Sequence, residues 1–156
     1  LEHIAKNITL PLSVDLEAGY AYDVPDILEH IRKLSDLGIA GINLEDSRVG
    51  YGRELQRAED FCLTIEQIKT KLEKQHQSLF LNIRTDTYLL RHPQALQETK
   101  RRAQLYENAG ADGIFVPGLV IENDTKEIVS ATNLPVNVMC YPGLSDFQGL
   151  KEWGVK

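Results

Sequence analysis

The sequence predicts an α/β chain of parallel strands, and three observations carry that prediction. Five apolar runs of strand length alternate with five helical patterns. Three helix ends are punctuated alike, by Gly38, Gly110 and Gly154, each at a return to strand pattern. Glycine takes the left-handed cap conformation without a side-chain penalty, so these corners are built the same way. Strands this continuously apolar need cover on both faces, from two helix layers or from closure into a barrel. Counting alone does not choose between the two. A complete eight-fold barrel takes about 250 residues, and this chain has 156. Its single domain, residues 1–156, therefore has room for an incomplete (β/α) barrel of about five to six βα units.

The first strand, "LPLSVDL" (10–16), runs into "LSVDLEAGY" and so ends on Asp15 and Glu17. Alternation along a strand puts those two acids on one face and Val14 and Leu16 on the other. Two carboxylates side by side repel, and water, a salt bridge or a cation must relieve them. A helix is expected from Asp23 to Leu37, with Asp23 as cap, Pro25 near the first turn, and Ile27, Leu28, Ile31 and Leu34 on one face. The second strand, "AGINLED" (40–46), ends on Glu45 and Asp46, and a helix from about Arg53 to His76 follows. The third, "LFLNIRTD" (79–86), brings Arg84 and Asp86 to its end, before a helix from Pro93 to Ala109. The fourth, "DGIFVPG" (112–118), ends at Pro117, before a helix from Asn123 to Ala131. The fifth, "LPVNVMC" (134–140), offers Asn137 and Cys140, before a helix from Ser145 to Trp153.

The bulk properties narrow the partners. A net charge of -6, with 42% hydrophobic and 26% charged residues, is ordinary for a one-core globular domain and argues against a phosphate-tracking surface. Lys71, Lys74, Lys100, Arg101 and Arg102 lie among acids, on what read as solvated helix faces. No apolar run approaches the ~20 residues that span a bilayer, and no charged-then-apolar leader opens the chain. Neither nucleic acid nor membrane is expected as a partner, and the expected location is cytoplasmic. Cys62 and Cys140 have no metal spacing and read as small buried hydrophobes.

Ligands of parallel α/β folds sit at the carboxyl ends of the strands. Three successive strands here deliver acid, acid and arginine to one rim. Asp15, Glu17 and Glu45 offer only hard oxygen donors, which suits Mg2+, with Mn2+ as an alternative. Arg84 supplies a planar fork matched to a carboxylate or phosphate. The same pattern also fits an internal ion-pair network with no ligand at all. His3, His30, His76 and His92 fall in terminal, helical or loop contexts and not at strand ends. Tyr20 and Tyr51 belong to glycine-flanked stretches that loop over the site or pack within those loops.

Five strings, "LPLSVDLEAGY", "GIAGINLEDS", "LFLNIRTDTYL", "AGADGIFVPG" and "LPVNVMCYPGLSDFQGLKEWGV", come in the order and spacing of the isocitrate lyase/phosphoenolpyruvate mutase superfamily. The chain resembles that family from about Ile8 to its last residue. The resemblance implies a TIM-type barrel enzyme, Mg2+-dependent, that makes or breaks C–C or P–C bonds of small keto- or hydroxy-carboxylates through an enolate. It implies that Asp15 binds the metal directly and that Glu17 and Glu45 hold metal-bound water. Arg84 would bind the substrate carboxylate. The expected site is thus Asp15, Glu17 and Glu45 for metal, Arg84 and Glu45 for catalysis, and Arg84, Asn137 and Tyr20 for a small anionic carboxylate. The full-length form is expected to be a homo-oligomer.

The departures from the family bear on reaction class. The lyases carry Lys-Lys-Cys-Gly-His after the Glu-Asp motif, whereas "SRVGYGREL" stands here, without Cys, His or Lys. Pro117 stands where lyases have Glu and mutases have His. Two strands that precede "LPLSVDL" in the family have no counterpart, which reads as a fragment of a longer protein. Aldol-type cleavage of isocitrate is therefore not expected of this chain, while decarboxylation or hydrolysis of a keto acid makes lighter demands on proton transfer. The loop from Ser47 to Leu55 is expected to be mobile and to cover the site, with Arg48 and Arg53 reaching an anionic ligand. Two other classes compete: a non-catalytic remnant of such a barrel, and a phospho-receiver module. The second should end its third strand on Asp and its fifth on Lys, whereas here the third ends in Arg84 and Thr85 with Asp86 one step further, and the fifth in Met139 and Cys140.

Overall fold

The computed structural model describes residues 1–50 and 52–156, with Val49 described by its backbone only. The elements in chain order are α1 (Glu2–Asn7), β1 (Ser13–Asp15), α2 (Val24–Asp36), β2 (Gly41–Glu45), β3 (Ser47–Val49), β4 (Arg53–Leu55) and α3 (Ala58–Lys74). There follow β5 (Phe80–Arg84), α4 (Ala95–Asn108), β6 (Gly113–Val116), α5 (Glu122–Ala131), β7 (Val136–Val138) and α6 (Phe147–Trp153). All five predicted strands and five predicted helices are present. The expected helix from Arg53 starts only at Ala58, because Arg53–Leu55 pairs antiparallel with Ser47–Val49 as a hairpin. Neither that hairpin nor α1 was expected from the sequence.

The five long-range strands form one parallel sheet in the order β1-β2-β5-β6-β7. Each strand neighbours the next in the chain, with only the hairpin set aside. Crossovers between parallel strands are right-handed, so a sheet that always advances in one direction carries all its helices on one face. The helices accordingly pack in series, α2 on α3, α3 on α4, α4 on α5 and α5 on α6. A doubly wound sheet would reverse order midway and place helices on both faces. This is the wall of a barrel, and its helix-free face is the interior.

That division corrects the reading of the strands as uniformly apolar. The residues turned to the helices are Ile42, Leu44, Leu81, Ile83, Ile114, Val116 and Val136, all buried with Ile31, Phe61, Ile65, Ile68 and Ile128. The alternate residues, Asn43, Glu45, Asn82, Arg84 and Asn137, share the interior face and bond to one another. Cover is needed on the helix side, and the interior side is organised by polar contacts instead.

The corners behave as predicted: Gly38, Gly110 and Gly154 have φ of 76°, 100° and 87°. Asp23 caps α2 by accepting from the Asp26 amide at 3.1 Å. Ile27, Ile31 and Leu34 are buried and Leu28 half-buried, as the helical spacing requires. Cys62 is half-buried, but Cys140 is exposed, because β7 ends at Val138 and leaves Cys140 beyond the sheet. Among the described residues, no helix is long and apolar enough to cross a membrane.

Candidate active site at the carboxyl ends of the strands

The rim is built where β1, β2 and β5 end. Leu16 N–H donates to the Asn43 carbonyl and Glu45 N–H to the Glu17 carbonyl, both at 2.9 Å, so the backbone ties β1 to β2 past the last strand residue. Between these bonds Glu17 adopts φ of 50°, a left-handed conformation uncommon for a residue with a side chain. The strict alternation that placed Asp15 and Glu17 on one face therefore ends at Asp15. Asp15 is exposed, and its Oδ1 accepts from the Glu17 amide at 3.1 Å. Tyr20 repeats the left-handed conformation at φ of 51°. Two such residues within four positions mark a tightly shaped turn, of the kind that clusters at functional sites. His30 Nδ1 lies 2.9 Å from the Gly19 carbonyl and fastens this turn to α2.

Glu45 is the buried centre of the rim, 1% exposed. Its Oε1 accepts from Arg53 Nη1 and, at 3.3 Å, from Ser47 Oγ. Its Oε2 lies 3.2 Å from Arg84 Nη1 yet receives no well-aligned hydrogen bond. Burial pushes the Glu45 carboxyl above its ordinary value, against the pull of Arg53 and Arg84. Arg84 faces this site, as expected, with Nε donating to Asp86 Oδ1 at 2.7 Å. Asp86, fully buried, also accepts from Ser47 Oγ at 2.6 Å and from Arg53 Nη1 at 2.9 Å. Arg53 Nη2 reaches Glu17 Oε2 at 3.6 Å. One guanidinium thus touches Glu17, Glu45 and Asp86 together.

A pocket of about 410 Å³ opens beside this cluster, lined by Glu17, Tyr20, Tyr22, Glu45 and Arg48 among others. Tyr20, 70% exposed, stands at its mouth. Tyr51, expected in the same loop region, lies outside the described residues. The β3–β4 hairpin meets the rim through the buried Ser47 and through Arg53, both of which contact Glu45 and Asp86.

Three expectations are corrected. Asp15, Glu17 and Glu45 share the rim but do not close on one point: among the described residues, no three Asp, Glu, His or Cys side chains are gathered as a metal-ligand set. The left-handed turn at Glu17 separates Asp15 from Glu17, and Arg53 stands between Glu17 and Glu45. Asn137 stands level with Arg84 in the sheet register, but its side chain turns to Asn82 rather than lining the pocket. It exchanges hydrogen bonds of 3.0 and 3.1 Å with Asn82, whose amide also donates to Asn43 at 2.8 Å. The pair meets across β6 because Gly113 leaves the space, where an added Cβ would fall 2.7 Å from Asn82 Oδ1. Arg102, expected on a solvated face, is 4% exposed and pairs with Asp46 at 2.8 Å.

Asp46 itself is a structural anchor. Its carboxylate accepts from Thr85 Oγ1, Arg102 Nη1, Tyr106 OH and the Asp86 amide, at 2.7 to 3.1 Å. Burial pushes the Asp46 carboxyl up while Arg102, Thr85 and Tyr106 pull against it. Through Thr85 and the Asp86 amide it fixes the end of β5, and so the place of Arg84. Sequence reasoning also missed Ser47 and Arg53 as partners of Glu45, and Asp86 as the second acid that shares both. The signal available was the spacing of "LEDSRVGYGREL", two polar stretches around a glycine-rich turn, which is a hairpin pattern.

A parallel barrel wall with a buried acid and an arginine at its carboxyl rim agrees with the isocitrate lyase/phosphoenolpyruvate mutase superfamily, to which the family match assigns the chain. More narrowly, the chain belongs to the phosphoenolpyruvate phosphomutase family, whose pattern it matches over residues 1–156. It is 36% identical over 147 residues to an uncharacterized protein of Mycobacterium tuberculosis, covering 92% of this chain and 52% of that protein. It is 28% identical over 158 residues to an oxaloacetate decarboxylase of Pseudomonas fluorescens, covering 98% and 53%. The crystal structure of a candidate phosphonomutase from Burkholderia cenocepacia superposes with a TM-score of 0.90 at 35% identity, over 99% of this chain and 65% of that one. The chain spans about half the length of the curated relatives it matches.

Proposed function

We propose that this chain carries the carboxylate-binding rim of a divalent-metal-dependent enzyme that cleaves or forms a C–C or P–C bond in a small keto- or hydroxy-carboxylate. The observation that supports it is Glu45, which lines an open pocket together with Glu17 at the carboxyl ends of the strands and pairs with Arg84 at 3.2 Å. The donors suit Mg2+ or Mn2+ in kind. All are hard oxygens, and Glu45 Oε2, ion-paired with Arg84 at 3.2 Å, is a buried carboxylate oxygen that accepts no aligned hydrogen bond from the described residues. Glu17 and Glu45, now bridged by Arg53, would hold the ion, and Asp15 would have to turn toward them from the same rim. When bound, the ion supplies positive charge to offset the charge that develops on the keto oxygen.

The chain's own residues supply the rest of the reading. Arg84, held by Asp86 and Glu45, is positioned to take the substrate carboxylate in a two-point grip. Tyr20 and Tyr22 flank the pocket mouth and limit water. Arg48, exposed on β3 and lining the same pocket, suits a second carboxylate. The described part of the hairpin carries no Cys, His or Lys to act as general acid, which favours reactions whose enolate takes its proton from water. Decarboxylation or hydrolysis of a keto dicarboxylate fits that requirement better than cleavage of isocitrate. The resemblance to oxaloacetate decarboxylases points the same way. A cytoplasmic homo-oligomer of the longer protein is part of the same reading.

The test is turnover with Mg2+ or Mn2+ against oxaloacetate, phosphonopyruvate, isocitrate and methylisocitrate, for the 156-residue chain and for any longer form containing it. Pyruvate release from oxaloacetate, exceeding glyoxylate release from isocitrate by at least ~100-fold, is the expected result. A folded protein with no turnover of any of the four would favour the non-catalytic remnant.

A further inference from the structure

We propose that Arg53 is a tethered cation occupying the seat of the divalent ion, so that ion and guanidinium compete for the same carboxylates. This rests on the reading of the rim acids as a cation seat. Arg53 Nη1 contacts Glu45 Oε1, Asp86 Oδ2 at 2.9 Å and Ser47 Oγ at 3.0 Å, and Nη2 lies 3.6 Å from Glu17 Oε2. Of the three acids, Glu45 and Asp86 are essentially fully buried. Buried carboxylates this close require a counter-charge, because removing the partner of a buried ion leaves an uncompensated charge that is strongly destabilising. Arg84 supplies one positive charge to Glu45 and Asp86, and Arg53 supplies the second.

The consequence is an exchange. A divalent ion entering between Glu17 and Glu45 meets the Arg53 guanidinium in the same space, and two cations cannot share it. Arg53 is the first residue of β4, so its departure pulls that strand's start from the rim. The acids are thereby kept paired before metal arrives, and β4 reports whether metal has arrived. Arg53 is a positioning residue in this scheme and touches no reacting atom.

The experiment is a Mn2+ titration by electron paramagnetic resonance on the chain and on Arg53→Gln, Arg53→Lys and Arg48→Gln. It is paired with hydrogen exchange at the β4 amides with and without Mn2+. Competition predicts Mn2+ binding at least ~10-fold tighter in Arg53→Gln, near-native affinity in Arg53→Lys, and a change under ~3-fold in Arg48→Gln, which removes a nearby charge from outside the seat. It also predicts faster β4 exchange in the native chain when Mn2+ is added. Equal or weaker Mn2+ binding by Arg53→Gln, or slower β4 exchange with Mn2+, would overturn the inference and leave the cation seat intact. Absence of Mn2+ binding by every variant would overturn both. Should Arg53→Gln fail to fold, the exchange response of the native chain decides alone.

Discussion

At the scale of single residues, the rim separates carboxylates that look alike in sequence. Glu45 and Asp46 are adjacent in "LED", yet Glu45 enters the barrel interior and Asp46 the helix layer, as alternation along β2 requires. Asp46→Asn should therefore cost about 3 to 5 kcal/mol, because it strips the buried Arg102 of its counter-charge. A thermal melt measures this, and a loss below ~1 kcal/mol would mean that Arg102 finds another partner. Arg84→Lys keeps the charge but loses the planar fork, so affinity for a small keto acid such as pyruvate should fall about 10- to 100-fold by calorimetry, with little change in melting temperature. The strand-end positions of Glu45 and Arg84 were legible, because both close apolar runs of strand length. The ion pairs of Arg53 with Glu45 and Asp86, and of Arg102 with Asp46, were not, because those partners lie 8 to 56 positions away in the chain and no periodicity encodes such pairings.

At the scale of elements, strand existence was readable from apolar runs and helix ends from glycine, whereas the hairpin was absorbed into the following helix. Its six paired residues include too few apolar positions to announce a strand, and the pairing is maintained in part by the rim contacts of Arg53. The corners make distinct predictions. A Cβ at Gly38 meets nothing within 4 Å, so Gly38→Ala should cost only the left-handed backbone penalty, about 1 to 2 kcal/mol. At Gly154 the same atom would fall 2.9 Å from Val129 Cγ1, and Gly154→Ala should destabilise more by adding a packing conflict between α5 and α6. A second element-scale device is Glu107 at the end of α4, which accepts from Thr132 Oγ1, the Asn133 amide and the Asn133 side chain. Those bonds hold its carboxyl below the ordinary value. A lowered folded pKa means that the unfolded chain binds the proton more readily, so this stabilisation is complete above the unfolded value near 4.5 and is lost as pH falls through the folded one. Glu107→Gln should flatten the acid side of the stability profile in that window. An unchanged slope in denaturant titrations between pH 5 and 3 would contradict it.

At the scale of the molecule, the central strands β2, β5 and β6 are paired on both sides, while β1 and β7 have one described strand neighbour each. Backbone exchange should therefore be slowest in β2, β5 and β6 and fastest in β1 and β7, and uniform protection across all five would refute that gradient. The parallel α/β alternation was visible in the sequence as runs and corners, whereas the barrel wall followed only from the family resemblance and the consecutive strand order. The polar interior was not visible, because Asn43, Asn82 and Asn137 sit singly inside apolar strings and only the assembled sheet brings them together. The strictly consecutive strand order has a further consequence for how the chain is made. On the ribosome, residues emerge from the amino terminus at a rate slow enough for finished units to settle. Each new strand here finds its pairing partner already synthesised and already at the growing edge. Nascent chains of increasing length should thus acquire protease resistance in steps of one βα unit, rather than waiting for a late strand to complete the middle of the sheet.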